Sequence, residues 1–118
     1  MEPYAAEKAE MIRLINEIMK YFNTYYDDGW KEFFEEMVRR CNTDFPFEKI
    51  CGNIIRAYRG GMGSFQDYIL EQDGKMPIED NEKFDGLKDD LAQLCLDVLA
   101  ESNRDNVVVF KQSDDKEE

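Results

Sequence analysis

The chain has 118 residues, with 27 acidic against 15 basic side chains and a formal net charge of −12, so a bare phosphate backbone or an anionic membrane would be repelled by most of its surface. It contains no histidine, which excludes a Ser-His-Asp triad, a Cys-His pair and an imidazole-held metal. A 42% hydrophobic composition with eight Phe, six Tyr and six Met is enough for a core, and one folded domain over residues 1–110 is the expected organisation.

Apolar spacing makes the fold all-α. Met11, Leu14, Ile15, Ile18, Met19, Phe22 and Tyr25 recur at i, i+3, i+4 and i+7, which predicts a first helix from about Pro3 to Tyr26, ended by Asp27-Asp28-Gly29. Trp30, Phe33, Phe34, Met37, Val38 and Cys41 repeat the rule, as do Phe47, Ile50, Cys51, Ile54, Ile55 and Tyr58. Between these two helices, Thr43 or Asp44 is placed to cap and Pro46 to take the first helical position. Gly60-Gly61-Met62-Gly63 breaks the third helix, and Ser64 and Asp67 stand at capping-box spacing ahead of Tyr68, Ile69 and Leu70, predicting a short fourth helix. Residues 71–80 read as a loop. A final helix from about Asn81 to Ser102 carries Phe84, Leu87, Leu91, Leu94, Cys95, Val98 and Leu99 on one side. Val107 to Phe110 is β-prone and reads as a short extended segment, and residues 111–118 as a disordered acidic tail. The expectation is a single-domain bundle of about five helices.

Three cysteines, Cys41, Cys51 and Cys95, share no Cys-x-x-Cys spacing and fall on apolar helical phases, so they read as reduced core thiols. The first 20 residues interleave Glu2, Glu7, Glu10 and Glu17 with apolar positions. That is not a signal-peptide pattern, and the expected location is cytoplasmic.

Carboxylates are abundant, but no Glu-x-x-His pair exists and Asp73-Gly74-Lys75 breaks an EF-hand at its third position, so neither a metal nor any other cofactor is expected. No nucleophile–base pair stands out either, and the protein reads as a non-enzyme. Gly60 to Ser64, flanked by Arg56 and Arg59, resembles an anion cradle. However, it lacks the P-loop lysine and has Gln66 where a dinucleotide fingerprint needs its third glycine. Gly60, Gly61, Met62, Gly63, Ser64, Phe65 and Asp67 are therefore read as a structural loop that lets the flanking elements pack over Met62 and Phe65. Tyr21 and Tyr26 lie off the apolar stripe; with Tyr25 and Trp30 they form either a satellite core cluster or aromatic anchors for a partner.

Charge is uneven along the chain. Residues 71–118 hold 15 acids against 6 bases, nine of the twelve net negative charges. On a helical wheel Glu82, Asp85, Asp89 and Asp97 point away from the apolar stripe, giving the final helix an acidic outer face. With Tyr26 and Trp30 these are the candidate partner-binding residues.

The segment Tyr58-Arg59-Gly60-Gly61-Met62-Gly63-Ser64-Phe65-Gln66-Asp67-Tyr68-Ile69-Leu70, with Asn81-Glu82-Lys83-Phe84 opening the last helix, resembles the signature of a group of small acidic helical bacterial proteins. Their loop reads Gly-Gly-Met-Gly-Ser-Phe-Asn-Asp; Gln66 replaces that Asn here. Members of the group resemble immunity proteins of polymorphic or contact-dependent inhibition toxins. The resemblance implies a stoichiometric block of a cognate toxin domain. A basic nuclease is the toxin that the acidic face fits best, because carboxylates would pair with the Lys and Arg that hold phosphate. Two other readings stay open: an acidic nucleic-acid mimic that inhibits a DNA-binding enzyme, and a helical domain that binds a small molecule at the glycine loop. Direct binding of nucleic acid or membrane is not expected.

Overall fold

The computed structural model describes residues 4–26, 29–59, 64–71, 73–75 and 77–104. Along them run α1 (Ala5–Thr24), α2 (Lys31–Cys41), α3 (Phe47–Tyr58) and α4 (Ile78–Arg104), with one 3-10 turn at Phe65–Asp67 and, among the described residues, no strand. The all-α architecture is as the periodicity predicts, with four α-helices where about five were expected. The extended segment at Val107 to Phe110, the tail 111–118, Asp27, Asp28 and Gly60 to Gly63 lie outside the described residues.

Each helix buries the stripe its spacing defines. Met11, Leu14, Ile15, Ile18 and Phe22 on α1, and Phe34, Met37 and Cys41 on α2, meet all six apolar positions of α3 and Phe84, Leu91, Cys95 and Val98 of α4. α4 packs along both α1 and α3, so it is the element that closes the core.

Helix ends depart from expectation in instructive ways. α1 stops at Thr24, where Tyr26 takes a left-handed φ of 54° and turns the chain two residues early. That conformation is costly for a bulky residue. Pro46 is the N-cap of α3 and not its first helical residue, and no side chain caps this end. Thr43 instead shapes the preceding turn, its Oγ1 donating to the Arg40 carbonyl at 2.8 Å and accepting from the Phe45 amide at 3.2 Å.

The fourth helix expected after Ser64 is a single 3-10 turn. The Ser64 hydroxyl makes no cap and the backbone is extended again at Tyr68. The physical reason is that the groups a helix would use are taken by side chains of α4. Lys88 Nζ donates to the carbonyls of Gln66 at 3.2 Å and Tyr68 at 2.8 Å. Asn81 clamps Leu70 from both sides, its Oδ1 accepting from the Leu70 amide at 2.8 Å and its Nδ2 donating to the Leu70 carbonyl at 3.1 Å. Asn81 also donates to the Pro77 carbonyl, and α4 therefore begins at Ile78, three residues before the predicted Asn81.

This clamped segment delivers Phe65 to the centre of the molecule. Its ring is fully buried and lies 4.8 Å from Phe34, 5.2 Å from Tyr58, 5.4 Å from Trp30 and 6.0 Å from Phe84, mostly edge to face. Side chains from α2, α3 and α4 thus converge on one residue of a connection, with Phe22 of α1 slightly further off.

Phe65→Ala is expected to cost about 3–5 kcal/mol in urea denaturation, because the void opens where all four helices meet. In contrast, Gly86 is an exposed interior residue of α4 with nothing within 4 Å of where a Cβ would stand. Gly86→Ala should therefore stabilise the fold by about 0.5–1 kcal/mol.

Candidate functional site: the acidic flank of the last helix

α2 and α3 together carry five basic and four acidic residues. Part of their charge is internally engaged, since Arg39 and Arg40 both bond Glu36 and hold its carboxyl down at about 2. α4 differs, with eight acids against three bases. One of those bases, Lys88, is turned inward and only 6% exposed, so the outward face is more acidic than the composition of the helix suggests.

Lys88 uses all of its donors. Besides the two carbonyls of the 66–68 segment, Nζ pairs with Asp85 Oδ1 at 3.2 Å and lies 5.7 Å and 5.5 Å from the ring centres of Phe65 and Phe84. The Lys88 carbonyl in turn accepts from the buried Tyr58 hydroxyl at 2.6 Å, and burial pushes that phenol well above its ordinary range. A buried cation satisfied by three oxygens and two aromatic rings is a structural pin. Sequence reasoning passed over it, although the signal was present: Lys88 stands at the core phase, four residues after Phe84 and seven before Cys95.

Two hollows lie on this flank. The first, about 450 Å³ between α3 and α4, is lined by Ile55, Tyr58, Arg59, Gln66, Asp85 and Lys88, continuing to Asp89, Ala92 and Leu96. Its charges balance, with Lys88 beside Asp85 and one further residue of each sign. The second, about 220 Å³, is formed by Ile69, Ile78, Asn81, Glu82 and Asp85. Here two exposed isoleucines stand beside two carboxylates, with no basic residue among the described residues of the lining.

The nominated residues separate on this geometry. Glu82, Asp85, Asp89 and Asp97 are all exposed. Asp85 borders both hollows, Asp89 the first and Glu82 the second. Asp97 borders neither; it accepts from Gln93 at 2.8 Å and lies roughly 80° round the helix from Asp89. Tyr26 is 86% exposed, whereas Trp30 is half-buried against Phe33, Phe34 and Phe65 and is no free-standing anchor. Tyr21 packs on Phe84 and Tyr25 donates its hydroxyl to Asp80, joining the end of α1 to the start of α4. The four residues Gly60 to Gly63 lie outside the described residues; of the loop residues that follow, Ser64 and Phe65 are buried and Asp67 is exposed.

Cys41, Cys51 and Cys95 are free and buried. A hydrogen bond with Cys51, together with burial, holds the Cys95 thiol far above its usual range, and burial raises Cys41 as well. Neither offers the thiolate that nucleophilic or ligating chemistry needs. Among the described residues no three Cys, Asp or Glu side chains are gathered to hold a metal ion, and no helix is long and apolar enough to cross a membrane.

Residues 24–78 match the model of a family described as a domain of unknown function, DUF6966. The match covers α2, α3 and the Phe65 turn and ends at the first residue of α4, before Asn81 and Lys88. No curated protein and no solved structure matches the chain.

Two measurements check the pins. Lys88→Met leaves two carbonyls without their donor, at roughly 1–3 kcal/mol each, and should lower the denaturation midpoint and speed amide exchange at Leu70 ahead of the helices. Hydrogen bonding to Asp80 raises the Tyr25 phenol from 10.0 to about 12. A raised folded-state value means the stabilisation from this bond is fully present below pH 10 and is lost as pH rises toward 12. Absorbance at the tyrosinate band should show one tyrosine titrating earlier in Asp80→Asn than in the parent.

Proposed function

We propose that this protein is a non-catalytic cytoplasmic inhibitor that binds a basic protein domain through the acidic flank of α4, and that its target is a cognate bacterial toxin domain of nuclease type. The observation that carries this reading is the exposed carboxylate row Glu82, Asp85 and Asp89 on a helix with eight acids and three bases, one of the latter buried. Neither Glu82 nor Asp89 makes a hydrogen bond or ion pair among the described residues, so both remain available to a partner's Lys and Arg. The toxin assignment comes from the resemblance of the Tyr58 to Leu70 and Asn81 to Phe84 segments to immunity proteins. Inhibition would be one-to-one: the acidic flank fills the phosphate-binding surface of the toxin, and opposite charges accelerate the encounter.

Co-expression tests the assignment. A basic toxin domain encoded beside this protein in its host should arrest growth alone, and growth should return when the protein is supplied. Failure to rescue, with both proteins expressed, would remove the immunity reading. Within a confirmed pair, Glu82→Lys, Asp89→Lys and Asp97→Lys together should slow association by about tenfold or more at low salt and flatten its salt dependence, with helicity unchanged. Asp85 is spared in this variant because a lysine there would face Lys88. Asp89→Ala alone should do little, as exposed single charges contribute about 0–1 kcal/mol.

A further inference from the structure

Large apolar side chains that face water are few among the described residues, namely Tyr26, Ile69, Ile78 and Leu96. Two of them, Ile69 at 45% and Ile78 at 75% exposure, converge on the hollow bordered by Glu82 and Asp85. Their convergence is enforced. Ile69 precedes Leu70, whose backbone is clamped by Asn81, and Ile78 opens the helix that carries Asn81. The hollow is therefore tied together by Asn81, with an apolar floor and an acidic rim, which is the arrangement of an interface centre ringed by charge.

The occupants available within this chain fit it poorly. The apolar run Val107 to Phe110 follows the far end of α4. The helix from Ile78 to Arg104 is roughly 39 Å long, while residues 105–110 reach roughly 20 Å when fully extended. Residues 111–118, long enough to cover the remaining distance, bring Asp114, Asp115, Glu117 and Glu118 against two lysines and would meet the acidic rim with like charge. A second copy of a chain with net charge −12 meets the same repulsion.

We infer that the Ile69–Ile78 hollow docks a segment of a protein partner in which an apolar side chain is flanked by Arg or Lys. The apolar residue sits on the two isoleucines and the cations pair with Glu82 and Asp85. Arginine suits the rim better than lysine, since its planar fork bonds carboxylates in pairs and is more weakly hydrated. The inference deepens the proposed function by naming the centre of the docking surface, and rests on it only for the partner's identity.

The test uses synthetic twelve-residue peptides added to the isotope-labelled full chain: one alternating Leu and Arg, one in which Gly replaces every Leu, and one in which Glu replaces every Arg. The Leu/Arg peptide should shift the amides of Ile69, Leu70, Ile78, Glu82 and Asp85 first. Its affinity should fall about tenfold or more in Ile69→Ser/Ile78→Ser, a variant expected to keep its melting temperature because both side chains face water. Equal binding of the Gly/Arg peptide would show that charge alone drives association, and equal binding of the Leu/Glu peptide that apolar contact alone does; either overturns the proposal. So would binding unchanged in the double variant, self-association that this variant abolishes, or release of the hollow by deletion of residues 105–118. These peptides contain no toxin, so failure of growth rescue and failure of peptide docking are separate results.

Discussion

A lysine ammonium held inside the protein organises the rest of this structure. Lys88 reaches from α4 to the carbonyls of Gln66 and Tyr68, and Asn81 holds Leu70 from about two helical turns earlier on the same helix. Together they replace the backbone ladder that a helix would have given residues 65–70. Burying a cation is expensive, and what offsets the cost here is complete coordination by two carbonyls, one carboxylate and two ring faces. With the segment fixed, Phe65 can occupy the junction of four helices without belonging to any of them.

The same arrangement shapes the outer surface. With Lys88 facing inward, the carboxylates of α4 are left with few positive neighbours outside. Glu79 pairs with Lys83 at 3.4 Å, and Asp85 is shared between the pin and the rim of both hollows. The clamp on Leu70 presents Ile69 to solvent beside Ile78. A contact that serves packing thus creates, beside it on α4, an apolar spot within an acidic field. Such a combination suits a basic protein partner better than a phosphate-bearing ligand, which carboxylates would repel.

The helices were legible because each buries a single stripe at 3.6-residue spacing, as α3 does with all six predicted positions. The short helix after Ser64 was misread because its local signal, a serine followed by an aspartate three residues later, competes with side chains distant in sequence. Lys88 lies 22 residues beyond Gln66, and Asn81 lies 11 beyond Leu70. No local pattern carries that information. The acidic face of α4 followed from wheel phase alone, but its division into a row bordering the hollows and an outlying Asp97 required the packing of α3 and of residues 66–70. Trp30 shows the same limit, since its place beside Phe65 depends on where the connection comes to rest.

The sulfur chemistry of the core has a practical consequence. Cys41, Cys51 and Cys95 belong to α2, α3 and α4 respectively, and each is shielded from water, with Cys41 Sγ 3.6 Å from Met11 Sδ of α1. A thiol-modifying reagent can reach them only when the helices part. Labelling rates at the three sites therefore form a native set of opening clocks, one each for α2, α3 and α4, whose agreement or spread distinguishes concerted unfolding from piecemeal breathing.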